Sequence, residues 1–231
     1  MTGSLGMLAL AALSFLGLHA LSSVRPLRGA IVGAIGEGLY RGLFSLVAAA
    51  AMVWLVRAYG EAPVGEPLWA SGPLTRVLAA ILMIPAWLLF VGGVTTANPT
   101  AVGGEGVLGR DDPARGFVRI TRHPLLWSFG LWGIAHLLNR NDPAALILFG
   151  SLTALALGGT VLIDRKKAAA GEDWRRFAAR TSNLPFAAVL GGRNRIVWRE
   201  IGWWRIGLGL GLFVAAVLLH ETVIGVSPRP F

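Results

Sequence analysis

The stretch Arg119-Ile120-Thr121-Arg122-His123-Pro124-Leu125-Leu126-Trp127 places three cationic or titratable side chains within five residues, directly before a proline and a long apolar run. Proline is well tolerated in the first turn of a helix, where its missing N–H would have no partner. The pattern predicts that Pro124 begins a hydrophobic helix, with Arg122 and His123 at its start. A helix N-terminus carries partial positive charge and favours an anionic ligand group. The alternative is that Arg119 and Arg122 are basic flanks of a membrane span.

The composition around this stretch is that of a membrane protein. Hydrophobic residues make up 55% of the chain, charged residues 14%, and the mean hydropathy is +0.63. Several apolar runs approach the roughly 20 residues that a bilayer-spanning helix needs. We therefore expect an all-α fold, a polytopic membrane helix bundle of about six transmembrane helices with a cytoplasmic amphipathic segment. The predicted spans are 5–23, 39–59, 74–95, 124–139, 143–163 and 206–224.

One domain is expected over residues 1–231. It consists of a five-span bundle (1–163), the amphipathic segment (164–205), and the last span with its tail (206–231). The chain has no cysteine, which excludes disulfides, thiolate metal ligands and cysteine nucleophiles.

Basic residues are concentrated on one side of the predicted bundle. All but four of the 21 lysines and arginines fall in or beside the segments that follow the first, third and fifth spans; the exceptions are Arg57, Arg76, Arg140 and Arg229. The positive-inside rule then predicts that these segments are cytoplasmic and that both termini face the other side. Because topology accounts for the basic excess, no nucleic-acid partner is expected.

The segment 164–205 contains a predicted amphipathic helix over 172–180, with Trp174, Phe177 and Ala178 on one side and arginines toward the other. We expect it to lie along the cytoplasmic membrane surface, where it either contributes to a site or only anchors the chain to anionic headgroups. Trp198, Trp203 and Trp204 precede the last span, where interfacial tryptophans are common.

The four histidines all fall within or beside predicted spans, where ionisable groups are costly and often functional. Their depths predict two pairs, His19 with His123 at the cytoplasmic side and His136 with His220 at the opposite side. His123 and His136 are about 20 Å apart along a regular helix, so they cannot ligate the same iron. The alternative for each histidine is a hydrogen bond to a backbone carbonyl or hydroxyl.

Two carboxylates and two arginines are expected near the cytoplasmic pair. They either surround a polar ligand head or form an ion network that only locks the bundle. These residues are Glu37, Arg41, Arg122 and Asp164.

Several motifs together resemble the NnrU family of integral membrane proteins over essentially the whole chain. They include Gly17-Leu18-His19, Gly36-Glu37-Gly38-Leu39-Tyr40-Arg41-Gly42, Ile120-Thr121-Arg122-His123-Pro124, Ile163-Asp164-Arg165 and Ser182-Asn183-Leu184-Pro185-Phe186. The resemblance implies a bacterial cytoplasmic (inner) membrane protein with periplasmic termini. It also implies a role in denitrification, in the expression or activity of nitrite and nitric oxide reductases, whose components are then expected partners.

The zeta-carotene isomerases are relatives of that family, bind haem b through histidine and act on a lipophilic polyene. Their resemblance implies haem b here, with His19 as leading ligand, His123 as its partner and the pair His136 and His220 as the alternative. Arg122, Arg41 or Arg28 would then meet the haem propionates. The histidine pair that those isomerases carry in their fifth span is replaced here by Leu155-Ala156-Leu157-Gly158-Gly159.

Two further interpretations stay open. The chain is also similar to membrane methyltransferases of the isoprenylcysteine carboxyl methyltransferase type, which implies an S-adenosylmethionine site at Arg122 and His123. Asp164-Arg165 stands where those enzymes have paired glutamates. The third interpretation is a non-catalytic assembly or regulatory protein.

Overall fold

The computed structural model describes residues 3–169 and 171–228, apart from the side chain of Glu105. Within this part the regular elements are all helical, which confirms the predicted all-α class. The α-helices are α1 (Leu5–Ser23), α2 (Arg25–Ile35), α3 (Glu37–Glu61), α4 (Pro73–Thr95), α5 (Pro124–Leu137), α6 (Pro143–Lys167), α7 (Glu172–Arg180), α8 (Ala187–Leu190), α9 (Trp198–Ile201) and α10 (Trp203–Ile224). Two 3₁₀ turns, Glu105–Gly109 and Gly116–Arg119, lie between α4 and α5.

Five helices in the described part are long and apolar enough to cross a membrane, namely α1, α3, α4, α6 and α10. The fourth predicted span, 124–139, is also a helix, but α5 has 14 residues. At a rise of 1.5 Å per residue it is about 21 Å long, which is shorter than the roughly 30 Å hydrocarbon core of a bilayer. The bundle therefore has five full-length candidate spans and one shorter apolar helix.

The contacts divide the chain into two compact units. The first comprises the chain up to Ala70 together with Arg140–Ser151, and the second comprises Ser71–Asn139 together with the chain from Leu152 onward.

In the first unit, α1 and α3 pack antiparallel. Gly3 lies against the backbone of Glu61, and the ring of His19 is 5.5 Å from that of Phe44. The buried side chains of α1 are all apolar. The chain after α1, predicted as a loop, forms the additional helix α2, because Val24 caps its start and Pro26 occupies its first turn.

In the second unit, α4 packs against both α5 and α10. The ring of Phe90 is 6.1 Å from that of Phe129, and Gly209 of α10 lies against Leu88. Leu126 of α5 lies near Gly159 of α6, and Gly130 lies near Leu157, so the two helices run antiparallel. The end of α4, the start of α5, the end of α6 and the start of α10 therefore meet at one end, which we call the basic end.

The apolar side of α7 packs against protein, which the sequence did not predict. Trp174 and Phe177 are 3% and 1% exposed and pack against Ala114 and Val118. The helix is amphipathic, as predicted, but its apolar side covers the chain before α5. Protein, not lipid, removes these aromatic side chains from water.

Candidate functional site

Arg122, His123 and Asp164 form a compact charged cluster at the basic end of the second unit. The Nε of Arg122 donates to Oδ1 and Oδ2 of Asp164 at 2.9 and 3.0 Å. The Nε2 of His123 lies 2.8 Å from Oδ1 of the same carboxylate. These side chains come together because α5 and α6 are antiparallel, which brings the start of α5 to the end of α6.

The segment after α7 completes the cluster. The Nη1 of Arg122 donates to the carbonyl of Thr181 at 3.3 Å. Thr121 Oγ1 and Trp127 Nε1 both donate to the carbonyl of Asn183, at 2.5 and 2.9 Å. The segment that follows α7 therefore holds the Arg122-His123 stretch in place, a role that the sequence did not reveal.

Asp164 contacts His123 in the way that a neighbouring carboxylate contacts a metal-ligating histidine. Its side chain is fully buried, and its Nδ1 has no hydrogen-bond partner within the described residues. If Nε2–H donates to Asp164, Nδ1 carries a lone pair, which is the state of a ligating nitrogen. His123 therefore keeps the chemistry of a candidate ligand, whereas Arg122 is already satisfied by protein acceptors.

The second cluster at the basic end is centred on Arg119 and was not predicted. Its guanidinium donates to Glu200 through Nε and Nη2 at 2.7 and 3.0 Å, to Asp112 at 2.7 Å and to Asn194 at 2.8 Å. The backbone N–H of Gly116 donates to Glu200 at 2.9 Å. Sequence reasoning missed these partners, although one signal was available: Glu200 is the only acidic residue between Asp173 and Glu221.

This ion pair shifts the pKa of both residues. The hydrogen bond from Arg119, assisted by Gly116, lowers the pKa of the Glu200 carboxyl, and the hydrogen bond to Glu200 raises the pKa of Arg119. Both groups therefore stay charged over the physiological pH range. They join the turn before α5 to the segment before α10.

In the first unit, Glu37 binds two arginines. Its Oε1 accepts from Nη2 of Arg28 at 2.5 Å and from Nε of Arg41 at 2.6 Å. The guanidinium of Arg28 also lies over the ring of Tyr40 at 5.3 Å. The predicted group of ligand-binding residues is thus divided: His19, Glu37 and Arg41 lie in the first unit, and Arg122, His123 and Asp164 lie in the second.

His19 has the hydrogen bond that was considered as the alternative to a ligand role. Its Nδ1 is 2.8 Å from the carbonyl of Phe15, one turn earlier in α1. Its ring also contacts the rings of Phe15 and Phe44, with centroids 4.5 and 5.5 Å away. Because a carbonyl only accepts, Nδ1 is the donor of this hydrogen bond.

His136 and His220, the alternative metal pair, lie together in the second unit. Their ring centroids are 6.4 Å apart, and the planes differ by 33°. The Nδ1 of His136 is 2.8 Å from the carbonyl of Trp132, and that of His220 is 2.7 Å from the carbonyl of Val226. Because a carbonyl only accepts, Nδ1 is the donor in both rings, and Nε2 is the nitrogen that could bind a metal.

Known proteins share sequence similarity with this chain. The family model described as NnrU protein matches residues 7–228. The chain is also 39% identical over 80 residues to the 15-cis-zeta-carotene isomerase, chloroplastic, of Arabidopsis thaliana. That alignment covers 34% of this chain and 22% of the plant protein, so the chain spans about a fifth of the curated relative's length. No solved structure matches significantly. Because the family model covers nearly the whole chain, the protein belongs to the NnrU family.

Proposed function

We propose that this NnrU-family membrane protein binds haem b through His136 and His220 and performs isomerase-like chemistry on a lipophilic polyene. The observation that carries the proposal is the 6.4 Å separation of the two imidazole centroids. Two imidazoles that bind one metal ion through bonds near 2 Å can have ring centres up to roughly 6 to 6.5 Å apart. The separation therefore suits a bis-histidine iron.

The hydrogen bonds of the two rings also fit an iron ligand. A metal-binding histidine usually donates its other ring N–H to a carbonyl or carboxylate, which fixes the tautomer and makes the ligating nitrogen more basic. His136 and His220 both do so through Nδ1, with Trp132 and Val226 as acceptors. Two neutral imidazoles are also a donor set that can be buried in a membrane helix bundle without adding charge.

The supporting helices position the pair. His136 lies on α5 and His220 on α10, and both of these helices pack on α4. The ring of Trp132 lies 4.5 Å from that of His136 and restricts its rotation. When bound, haem b would supply a redox-active iron centre, which His136 and His220 would hold. The residues of the chain would orient the imidazoles and keep water away.

The choice of this pair departs from the leading sequence prediction of His19 and His123. His136 and His220 meet within one compact unit, which is the reason for this choice. The remaining predicted cofactor residues are engaged in ion pairs with one another, Glu37 with Arg41 and Arg122 with Asp164. These pairs favour the interpretation of a network that locks the helices.

The proposed substrate class comes from the plant relative, whose name states that it isomerises 15-cis-zeta-carotene. The exposed apolar faces of the long helices are compatible with a substrate that enters from lipid. The role in nitrite and nitric oxide reductase function, implied by the family resemblance, is the alternative biological setting for the same haem.

The absorption spectrum of the purified protein tests the proposal. Protein from haem-replete cells, solubilised in a mild detergent, should show a Soret band and the spectrum of a low-spin, six-coordinate haem. His136→Ala and His220→Ala should each remove the six-coordinate spectrum. His19→Ala is the matched control, because its Nδ1 makes the same hydrogen bond one turn back and it should leave the spectrum unchanged.

The other possible results would each favour a different interpretation. Colourless wild-type protein would refute haem binding and leave the assembly or methyltransferase interpretations. Loss of the spectrum in His19→Ala alone would return the site to the pair His19 and His123. If haem-loaded protein leaves a 15-cis polyene unchanged, the isomerase part is refuted, and complementation of a denitrification-deficient deletion strain becomes the assay.

A further inference from the structure

A cleft of about 370 Å³ opens at the basic end of the second unit, separate from the histidine pair. Its charged lining consists of Arg119, Arg180, Arg193, Arg195 and Asp112. Arg119 is neutralised by Glu200, and Arg180 lies 3.5 Å from Asp112. The remaining guanidinium groups therefore leave the cleft with an excess of positive charge.

The arginines of the cleft are held by a turn that is already ordered. The Nη1 of Arg193 donates to the carbonyls of Ala179 and Thr181 at 2.9 and 3.1 Å, which fixes one side of its guanidinium. The Oδ1 of Asn194 accepts from the backbone N–H of Arg195 at 2.8 Å. Gly192, with φ of +67°, adopts the left-handed conformation that the turn requires. An anion would therefore meet cationic groups whose backbone needs little reorganisation.

Exposed apolar side chains flank these arginines in the sequence. Leu190, two residues before Gly192, is 85% exposed. Trp198 and Trp203, which follow Arg195, are 60% and 73% exposed and stack with centroids 6.1 Å apart. Since the candidate span α10 begins at Trp203, this segment is at the depth where a membrane span leaves the bilayer. The arginines would then lie at the level of the lipid headgroups.

We propose that the cleft around Arg180, Arg193 and Arg195 binds the phosphate headgroup of an anionic phospholipid, whose acyl chains contact the exposed apolar side chains beside it. Charge complementarity selects an anion, and the exposed Leu190 and Trp198, which flank these arginines in the sequence, favour one that carries hydrocarbon. The positive-inside rule places this end in the cytoplasmic leaflet, where anionic lipids attract juxtamembrane basic residues. The proposal does not rest on haem binding.

The test uses full-length protein in nanodiscs of phosphatidylcholine, into which phosphatidylglycerol is titrated. Native mass spectrometry counts the lipids that stay bound, and the shift in melting temperature gives the apparent affinity. Wild-type protein should retain phosphatidylglycerol in preference to phosphatidylcholine. Arg180→Gln/Arg195→Gln should weaken that binding about 25-fold, since each arginine near the surface contributes about fivefold.

The matched control is Arg175→Gln/Arg176→Gln. These two arginines lie on the same segment, are highly exposed, and pair with Glu172 and Asp173 outside the cleft. The control removes the same charge and should change lipid binding less than twofold. Equal melting temperatures of both variants without phosphatidylglycerol would show that folding is unaffected.

Three results would overturn the proposal. An equal loss in the control variant would mean that general surface charge attracts the lipid. Equal retention of phosphatidylcholine would exclude headgroup selection. Competition by inorganic phosphate at millimolar concentration, with no dependence on lipid, would identify a site for a soluble phosphoryl compound.

Discussion

Replacing Glu200 by Gln should destabilise the protein more than any comparable change at an exposed acidic residue. Glu200 accepts two hydrogen bonds from Arg119 and one from the backbone of Gly116. The side chains of Arg119 and Glu200 are only 8% and 15% exposed. The substitution keeps the shape of the side chain but removes its charge and places an NH₂ group where one oxygen accepted.

The magnitude follows from what remains around Arg119. Removing one partner of a buried ion pair typically costs about 3–5 kcal/mol, because the other charge is left uncompensated. Here Asp112 still accepts from Nη2 at 2.7 Å, and the amide oxygen of Gln can accept one hydrogen bond. We therefore expect a loss of about 2–3 kcal/mol, less than that full range. For a chain of this size that corresponds to a decrease in Tm of about 5–10 °C.

Thermal unfolding in a mild detergent at pH 7 measures the effect. The control is Glu172→Gln, since Glu172 pairs with Arg175 at 3.0 Å but both side chains are mostly exposed; its loss should be below about 1 kcal/mol. Arg119→Met combined with Glu200→Gln should cost less than the sum of the single changes, because the two residues contact each other. If Glu200→Gln costs no more than Glu172→Gln, the pair does not stabilise the folded protein and the reasoning fails.

The pH dependence gives the same prediction a second readout. The pKa of Glu200 is lowered in the folded state by the hydrogen bond from Arg119. Its carboxylate therefore stabilises the fold fully above the unfolded-state pKa of about 4.3, and this contribution is lost as pH falls through the lower folded-state pKa. The difference between wild-type protein and Glu200→Gln should stay constant above about pH 5 and shrink below about pH 4.

Two further changes test the packing and charge of the second unit. Gly92→Ala should cost about 1–3 kcal/mol, because a methyl group there would overlap the buried ring of Phe117. Gly211→Ala meets open space inside α10 and should be neutral to stabilising by up to about 1 kcal/mol; thermal unfolding of both variants measures the difference. Asp164→Asn should cost about 2–4 kcal/mol in the same measurement, because it removes the carboxylate that Arg122 and the buried His123 share, and a loss under about 1 kcal/mol would contradict this.

The long helices were predictable because the length of an apolar run and the residues that end it are local properties. The predicted bounds of α1 agree with the structure, and those of α7 follow from its apolar and charged periodicity. The helix α2 was missed although Pro26 in its first turn was a usable signal. The fourth predicted span, 124–139, was already short for a full crossing, and α5 ends two residues earlier, at Leu137.

The site was predicted less completely, because several partners suited each charged group equally well. Arg122, His123 and Asp164 were expected near one another, and the structure brings all three together. The partnership of Arg119 with Glu200, 81 residues apart, could not be chosen in advance from the other acidic residues.

Membrane insertion and the basic excess at one end depend on hydropathy and charge along the chain, and the amino-acid sequence by itself determines both. Two contacts of the side chains, in contrast, depended on tertiary packing. One is that the apolar side of α7 faces Ala114 and Val118 and not lipid. The other is that His136 meets His220 while His19 and His123 belong to separate units. Hydropathy sets which segments leave water, but the distances between side chains far apart in sequence are set by how the helices pack.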